Sequence, residues 1–216
     1  EISECLVGSE MCIRDRLESY NQILTWIENN QVTSVTSSIV WEEYTQHFAE
    51  NKAKAEDDQN KLKTVLKSYA DCIGEPKKSR ISDVIDLIDL VTILEDIEKR
   101  IWQNTYVIKD NANLRNNAHF RVLHKMSPSK KKDQYKDSLI WVTFLQMAST
   151  LPRPLFEVYV TANKEDFCVN KSPNPQNEIK NDCQIVKAEI CVELKKLVNL
   201  ITVSYTHLRA HETLAN

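Results

Sequence analysis

The segment that decides the fold class is Phe156-Glu-Val-Tyr-Val-Thr-Ala-Asn-Lys-Glu-Asp-Phe167. Its first six residues are rich in β-branched and aromatic side chains, which is typical of a strand buried in a parallel sheet. Residues 136–148, which precede it, carry apolar side chains at helical spacing and predict a helix. A helix followed by a buried strand predicts an α/β unit. The loop at 162–167 then lies at the carboxyl end of the strand, where open α/β sheets bind their ligands.

The rest of the chain is predicted to be mainly helical. Intervals of three and four between apolar residues predict helices over 17–30 and from Ile81 to Ile101. Ser37 or Ser38 is expected to cap a helix that follows a short alternating strand and continues as a charged, solvated arm. The strand is predicted at 32–36 and the arm at 49–72. Further along the chain we predict an irregular connection at 168–183, a strand near 185–192 and a helix at 194–201.

Composition narrows the classes of protein that fit. The 216 residues include 28 Lys and Arg against 31 Asp and Glu, a net charge of −3, so no overall charge excess marks a nucleic-acid or membrane binder. No apolar run approaches the roughly 20 residues that a membrane span needs. Only two glycines are present, which excludes Gly-rich phosphate loops. We therefore predict a single domain that is located in the cytoplasm and does not bind a membrane.

Both ends of the chain differ in character from the middle. Residues 5–16 and 203–216 resemble translated sequencing-adapter peptides that recur at the ends of unrelated proteins from environmental assemblies. We expect artefact-like tails at 1–16 and 203–216, and a single domain at 17–202 with a helical elaboration at about 49–108. His207 and His211 imitate part of a zinc-binding helix, but such a site needs a third ligand and a structural frame.

Four cysteines fall within the predicted domain, and none has the CxxC spacing of a metal or redox motif. They are few for the length, which favours buried, reduced thiols over disulfides. A reducing cytoplasm is the compartment consistent with this pattern. The four are Cys72, Cys168, Cys183 and Cys191.

Two charged segments have competing interpretations. Residues 115–136 carry seven Lys and Arg against Asp133, a local charge of +6. They fit a phosphate-binding strip or a solubilising loop equally well. Asp83, Asp86 and Asp89 are spaced three apart on a predicted helix, where an ordinary solvated face is favoured over a metal site.

Three acids stand out by position: Glu43 in the first turns after a strand, Asp137 at a helix start, and Asp166 after the best strand. Each alone fits an ordinary surface or helix-end role. Carboxylates gathered at the carboxyl end of a parallel sheet repel one another, and a divalent cation with oxygen ligands relieves that repulsion. The three acids together therefore predict a metal site.

Three motifs resemble the successive signatures of PIN-like domains, especially a bacterial group of them. They are Ile39-Val-Trp-Glu-Glu-Tyr44, Lys136-Asp-Ser-Leu-Ile-Trp141 and Tyr159-Val-Thr-Ala-Asn-Lys-Glu-Asp-Phe167. The resemblance covers about residues 20–201. It implies a three-layer α/β/α fold with a parallel sheet, and a metal-dependent endoribonuclease that uses Mg²⁺ or Mn²⁺.

The resemblance also implies residue roles. The family's metal ligands carry over to Glu43, Asp137 and Asp166, and Asn163 would assist from the same loop. Lys130, Lys131 and Lys132 would hold the RNA backbone through sequence-independent phosphate contacts. RNA is accordingly the expected partner, although action on DNA, and roles as a toxin, a processing enzyme or a phage-defence nuclease, also fit.

One departure from the family pattern concerns the first strand. PIN domains begin with a strand that ends in an Asp ligand, whereas this chain has an adapter-like peptide there, and its Asp15 is a poor substitute. We expect a fragment whose sheet lacks its first strand, with reduced stability and little or no activity.

A non-catalytic protein is the alternative interpretation. The helical arm at 40–108 would bind a protein partner, or the basic segment would bind RNA without cleavage, and self-association also fits the sequence. Convergence of the three carboxylates at the end of the 156–161 strand would favour the nuclease.

Overall fold

The computed structural model describes residues 10–73, 89–151 and 156–203, together with residues 81, 83 and 85. Helices dominate the described residues, and every described strand is short. In chain order the elements are α1 (Glu10–Glu28), β1 (Ser34–Ser37), α2 (Ser38–Cys72), α3 (Leu90–Gln103), β2 (Thr105–Ile108), α4 (Ala112–Leu123), α5 (Tyr135–Thr150), β3 (Val158–Val160), α6 (Lys164–Phe167), a 3-10 turn (Val169–Lys171), α7 (Asn177–Val186), β4 (Glu189–Cys191) and α8 (194–203).

The strands pair in parallel, which confirms the predicted helix-rich α/β class. In one pair Val35 of β1 lies opposite Tyr106 of β2, and in the other Tyr159 of β3 lies opposite Ile190 of β4. The described strands form these two separate pairs rather than one continuous sheet. Strands of three or four residues have few backbone groups with which to pair another strand. Helices therefore provide most of the packing surface.

Local sequence signals explain where the two principal helices begin. Ser37 caps α2, because its hydroxyl accepts a hydrogen bond from the backbone N–H of Val40 at 3.4 Å. The helix then continues for 35 residues to Cys72. α5 begins at Tyr135 and holds Asp137 in its first turn, as the sequence predicts.

The main core lies between α5, α6, α7 and the β3–β4 pair. Trp141 and Phe167 are fully buried at its centre, and the ring of Tyr159 lies 5.0 Å from the first and 5.3 Å from the second. A smaller cluster joins α4 to α5 through Leu114, Ala118, Leu139 and Val142. The helix that carries Asp137 is therefore packed on two sides.

The predicted irregular connection at 168–183 is wrong in its second half, because α7 begins at Asn177. Ile179, Cys183 and Val186 recur at intervals of four and three along it, and all three are buried. Lys187 then ends the helix in the left-handed conformation. The polar residues of α7 hide this pattern in the sequence, because only three of its ten positions face the core.

Strand β2 (Thr105–Ile108) lies at the end of the segment expected to be a helical elaboration, about 49–108, and the sequence pattern assigns no element to Ala112–Leu123, where α4 forms. The four cysteines are free thiols, and Cys168, Cys183 and Cys191 are buried as predicted. Cys72 is exposed, which corrects its predicted burial. It lies in the last turn of α2, a helix whose side chains face solvent along most of its length.

Some predictions fall outside the described residues, namely those on His207, His211 and Asp86 and on positions 1–9 and 204–216. α1 begins at Glu10, within the predicted tail, so the domain boundaries stay predictions. No helix among the residues that the structure describes has both the length and the apolar character needed to cross a membrane.

Candidate active site

The first turn of α5 meets the loop after β3, and this contact unites two of the predicted ligands. Asn163 caps α6, since its Oδ1 accepts a hydrogen bond from the backbone N–H of Asp166 at 3.2 Å. Its Nδ2 donates to Oδ2 of Asp166 at 2.9 Å and to Oδ2 of Asp137 at 3.4 Å. One amide group therefore holds both carboxylates.

Asp166 is nearly buried, with 7% of its surface exposed. Nε2 of Gln134 donates to the same Oδ2 atom at 3.2 Å, so two amides share that oxygen. Nε2 of Gln176 donates to the backbone carbonyl of Asp166 at 2.8 Å. The carboxylate is thus fixed in place by neutral donors, which satisfy it without cancelling its charge.

Gln134 is itself fixed by a buried serine. The hydroxyl of Ser129 donates to the carbonyl of Gln134 at 2.9 Å and accepts from its backbone N–H at 3.1 Å. Ser138 of α5 lies 2.8 Å from the same hydroxyl, and both serines are almost fully buried. Sequence reasoning missed these residues because no local motif marks them; the only signal is the position of Gln134 directly before a helix start.

Tyr159 forms the apolar side of the site. Burial raises the pKa of its phenol well above the ordinary value, and the negative charge of Asp137 raises it further. The phenol therefore stays protonated at neutral pH. Tyr159 can support the acidic pair through packing, but it cannot serve there as a general base.

Glu43 stands apart from this pair. Its Oε1 accepts a hydrogen bond from Nζ of Lys136 at 2.6 Å, and this ion pair raises the pKa of Lys136. Among the described residues, no group of three or more His, Cys, Asp and Glu side chains is placed to hold a metal ion. The structure brings together Asp137 and Asp166, while Glu43 is held by the residue that precedes Asp137.

A cavity of about 410 Å³ lies beside the first turn of α5. Its walls come from the start of α2, from α4 and from α5, and they include Glu43 and Lys136. An ion pair between Arg115 and Asp110 closes one side, and Arg115 lowers the pKa of that carboxyl. Charged groups of both signs and an apolar floor therefore surround one opening.

The predicted basic segment at 115–136 does not form one strip. Arg121 is buried, and its guanidinium donates to the carbonyl of Ser127 and to Asp182 at 2.7 Å. Nζ of Lys130 lies 3.2 Å from Glu178. Lys131 and Lys132 are exposed. Arg121 therefore stabilises the fold, Lys130 is in an exposed ion pair, and the exposed lysines at 131 and 132 are the candidates for phosphate contacts.

The acidic pair fits a hard divalent cation in its donor chemistry. Oδ2 of Asp137 and Oδ2 of Asp166 converge on one amide group, so both carboxylates are directed at the same small volume. Mg²⁺ is commonly held by one or two carboxylates, with substrate phosphates and water completing its octahedron. Asp137 and Asp166 meet that minimum in number and in donor type, and their Oδ2 atoms accept hydrogen bonds from amide N–H groups in this structure.

The structure is thus a helix-rich α/β domain with an acidic pair just beyond a parallel strand. The family model described as PIN domain matches residues 9–167, about three quarters of the chain, and the chain belongs to the PIN domain family. Members of this family are generally nucleases that use divalent metals. The matched range includes Glu43, Asp137 and Asp166. No curated protein and no solved structure matches the chain.

Proposed function

We propose that this chain is an endoribonuclease that hydrolyses RNA phosphodiester bonds with Mg²⁺ or Mn²⁺ held at Asp137 and Asp166. One observation carries the proposal: the amide of Asn163 contacts both carboxylates at the carboxyl end of β3. Membership of a family of nucleases supports the same chemistry. The buried free thiols are consistent with action in a reducing cytoplasm.

The chain's own residues position and hold the reacting groups. Gln134 and Asn163 fix Asp166, so little reorganisation of this carboxylate is needed when substrate arrives. Lys131 and Lys132 attract the RNA backbone without regard to sequence. A bound divalent cation would supply Lewis-acid stabilisation of the negative charge on the phosphodiester.

Glu43 is the third acid of the proposal. Its carboxylate is tied to Lys136, which is exposed and carries a flexible side chain. Rotation of the lysine would free the carboxylate of Glu43 from this ion pair. Because this rearrangement must precede full assembly of the acidic site, we expect slow cleavage by the chain as it stands.

Cleavage of a labelled single-stranded RNA in Mg²⁺ or Mn²⁺ tests the proposal, with RNA binding measured in parallel. We expect EDTA to abolish cleavage, and Asp137→Ala to lower its rate by at least about a hundredfold with RNA binding largely kept. Glu193→Gln is the matched control, since Glu193 forms an exposed ion pair with Lys164. Cleavage that persists in EDTA, or in Asp137→Ala, would contradict the proposal.

A protein-binding role for α2 is the second candidate function, and one observation favours it. Leu62, Val65 and Tyr69 recur at intervals of three and four, and they are 42%, 51% and 62% exposed. Such a stripe can pack against another helix. If copies of this chain associate through it, Val65→Asp should convert a dimer to a monomer in light scattering; an unchanged mass would exclude this form of the role.

A further inference from the structure

We propose that the side-chain amide of Asn163 stands in for a cation between Asp137 and Asp166, and that a divalent cation must displace it to reach both carboxylates. Asn163 thus restrains the acidic site and is not a ligand in it. The proposal rests on the proposed function, because it describes how the same two acids are kept from the metal. It is carried by the donors, the orientation and the freedom of this amide.

The nitrogen of the amide relieves the repulsion between the two acids. Nδ2 of Asn163 donates to Oδ2 of Asp166 at 2.9 Å and to Oδ2 of Asp137 at 3.4 Å. Carboxylates that share a site repel one another, and the partial positive charge of N–H groups offsets part of this repulsion. A cation that contacted the same two oxygen atoms would need the space of this nitrogen. Amide and cation therefore compete for one position.

The shared oxygen of Asp166 already has two amide donors. Nε2 of Gln134 donates to this Oδ2 atom at 3.2 Å, beside the amide of Asn163. Each carboxylate oxygen has about two lone-pair sites, and the two amides use both. A cation can bind this oxygen only after one amide leaves. Asn163 is the one that also contacts Asp137, so its departure removes a competitor from both acids at once.

The amide cannot offer its own oxygen to a cation without moving. Oδ1 of Asn163 accepts a hydrogen bond from the backbone N–H of Asp166 at 3.2 Å, and this bond fixes which end of the amide faces the acids. The reversed orientation would place Oδ1 against two carboxylates and Nδ2 against an N–H donor. Neither contact is favourable. The whole amide must therefore leave when a cation arrives.

The side chain of Asn163 can move while its backbone stays in place. Its backbone N–H donates to Oγ1 of Thr161 at 3.1 Å, and its carbonyl accepts from the N–H of Phe167 at 3.4 Å. The residue is half-buried in a loop, so rotation about the Cα–Cβ bond can carry the amide away from the acids. This rotation breaks three hydrogen bonds, two of them to carboxylates. The two acids should therefore bind a cation more weakly with the amide than without it.

Titration with Mn²⁺ in a calorimeter, without RNA, compares wild type with Asn163→Ser. Serine caps helices well, so it keeps an acceptor for the N–H of Asp166, but it has no amide to donate to the acids. We expect Mn²⁺ to bind Asn163→Ser at least about fivefold more tightly than wild type. Asn111→Ser is the matched control, because Asn111 caps α4 by accepting from the backbone N–H of Leu114 at 3.0 Å. Its affinity for Mn²⁺ should equal that of wild type.

Hydrogen exchange in wild type keeps the test decisive if Asn163→Ser fails to fold. Saturating Mg²⁺ should speed the exchange of the side-chain NH₂ protons of Asn163 severalfold, as measured by nuclear magnetic resonance, and leave those of Asn111 unchanged. Unchanged exchange at Asn163, or an affinity for Mn²⁺ that is equal or lower in Asn163→Ser, would overturn the restraint and leave the proposed nuclease standing. Tighter binding by Asn163→Ser without metal-dependent RNA cleavage by either protein would instead overturn the nuclease and leave the restraint standing. No binding of Mn²⁺ by any of the three proteins would overturn both.

Discussion

Two helices of this molecule differ sharply in how much of their surface they bury. α2 has 35 residues, and Ala70 is the one buried residue among them. α5 has 16 residues, of which seven are buried, including Trp141 and Phe144. Both helices contribute a predicted acid from their first two turns. Asp137 is therefore on a helix that is packed into the core, whereas Glu43 is on a helix that extends largely into solvent.

The ion pairs follow the same division. Lys52 and Glu95, which join α2 to α3, are 38% and 45% exposed. Arg121 and Asp182, which join α4 to α7, are 8% and 19% exposed. Buried pairs are strongly destabilising to break, whereas exposed pairs contribute little. The part of the molecule around α5, which carries Asp137 and packs against the loop with Asp166, should therefore contribute most of the free energy of unfolding.

Truncation of the two tryptophans should give the largest contrast. Trp141 is fully buried and its Nε1 donates to Asp182 at 2.9 Å, so Trp141→Ala should lower the free energy of unfolding by about 3–5 kcal/mol. Trp41 is 37% exposed and packs edge-on against Trp102, so Trp41→Ala should cost about 1 kcal/mol. Urea unfolding measures the free energy of unfolding of both variants. Equal losses would contradict the claim that the core around α5 is more important for stability than α2.

Removal of one cation from each class of ion pair should give the next contrast. Arg121→Met leaves Asp182 and the carbonyl of Ser127 without their guanidinium donor, and it should cost about 3 kcal/mol. Arg100→Met breaks an exposed pair with Glu28 and should cost less than about 1 kcal/mol. Urea midpoints of the two variants check this, and a larger loss for Arg100→Met would reverse our assignment of the core.

A pH-dependent effect at Glu178 should be the smallest. The backbone N–H of Ser127 donates to its carboxylate at 2.6 Å and lowers its pKa, with Lys130 adding to the shift. The stabilisation is therefore complete above the unfolded pKa of about 4.3 and is lost as pH falls through the lower folded value.

Replacement of this carboxylate isolates the effect. Glu178→Gln should lose about 1 kcal/mol at pH 7, and the difference from wild type should shrink as pH falls below about 4. Unfolding measured at several pH values gives this result. The control Glu95→Gln should change the free energy of unfolding at pH 7 by less than about 0.5 kcal/mol, because Glu95 is in an exposed pair. A deficit in Glu178→Gln that is independent of pH would exclude the carboxylate as its cause.

Much of the fold could be predicted because strong local signals mark it. Ser37 is a standard helix cap, and the β-branched run before Asn163 predicts a parallel strand, which β3 confirms. The predicted burial of that strand is wrong, because Val158 and Tyr159 are only partly buried and Val160 is 47% exposed.

The sequence pattern does not predict α7, because polar residues separate its buried positions, such as Ile179. Two of these polar residues accept hydrogen bonds from Arg121 and Ser127, which lie far away in the sequence. Contacts of this kind depend on tertiary structure, which a local pattern does not encode.

The candidate site was predictable to a similar extent. The positions of Asp137 and Asp166 follow from a helix start and a strand end, which the sequence marks clearly. The support from Gln134 was not predictable, because a glutamine before a helix has no distinctive pattern. The ion pair of Glu43 with Lys136 joins residues 93 positions apart, so it could not be read from the local sequence.

Binding of Mn²⁺ by isothermal titration calorimetry tests most directly whether Asp137 and Asp166 form a cation site. We predict one Mn²⁺ site in wild type, with affinity reduced at least about tenfold in Asp166→Asn, since one of two charged ligands is lost. Asn at this position can still accept the hydrogen bond of Gln134, so the fold should be kept. Glu193→Gln should bind as wild type does. Equal affinity in all three proteins, or no binding by wild type, would contradict the account.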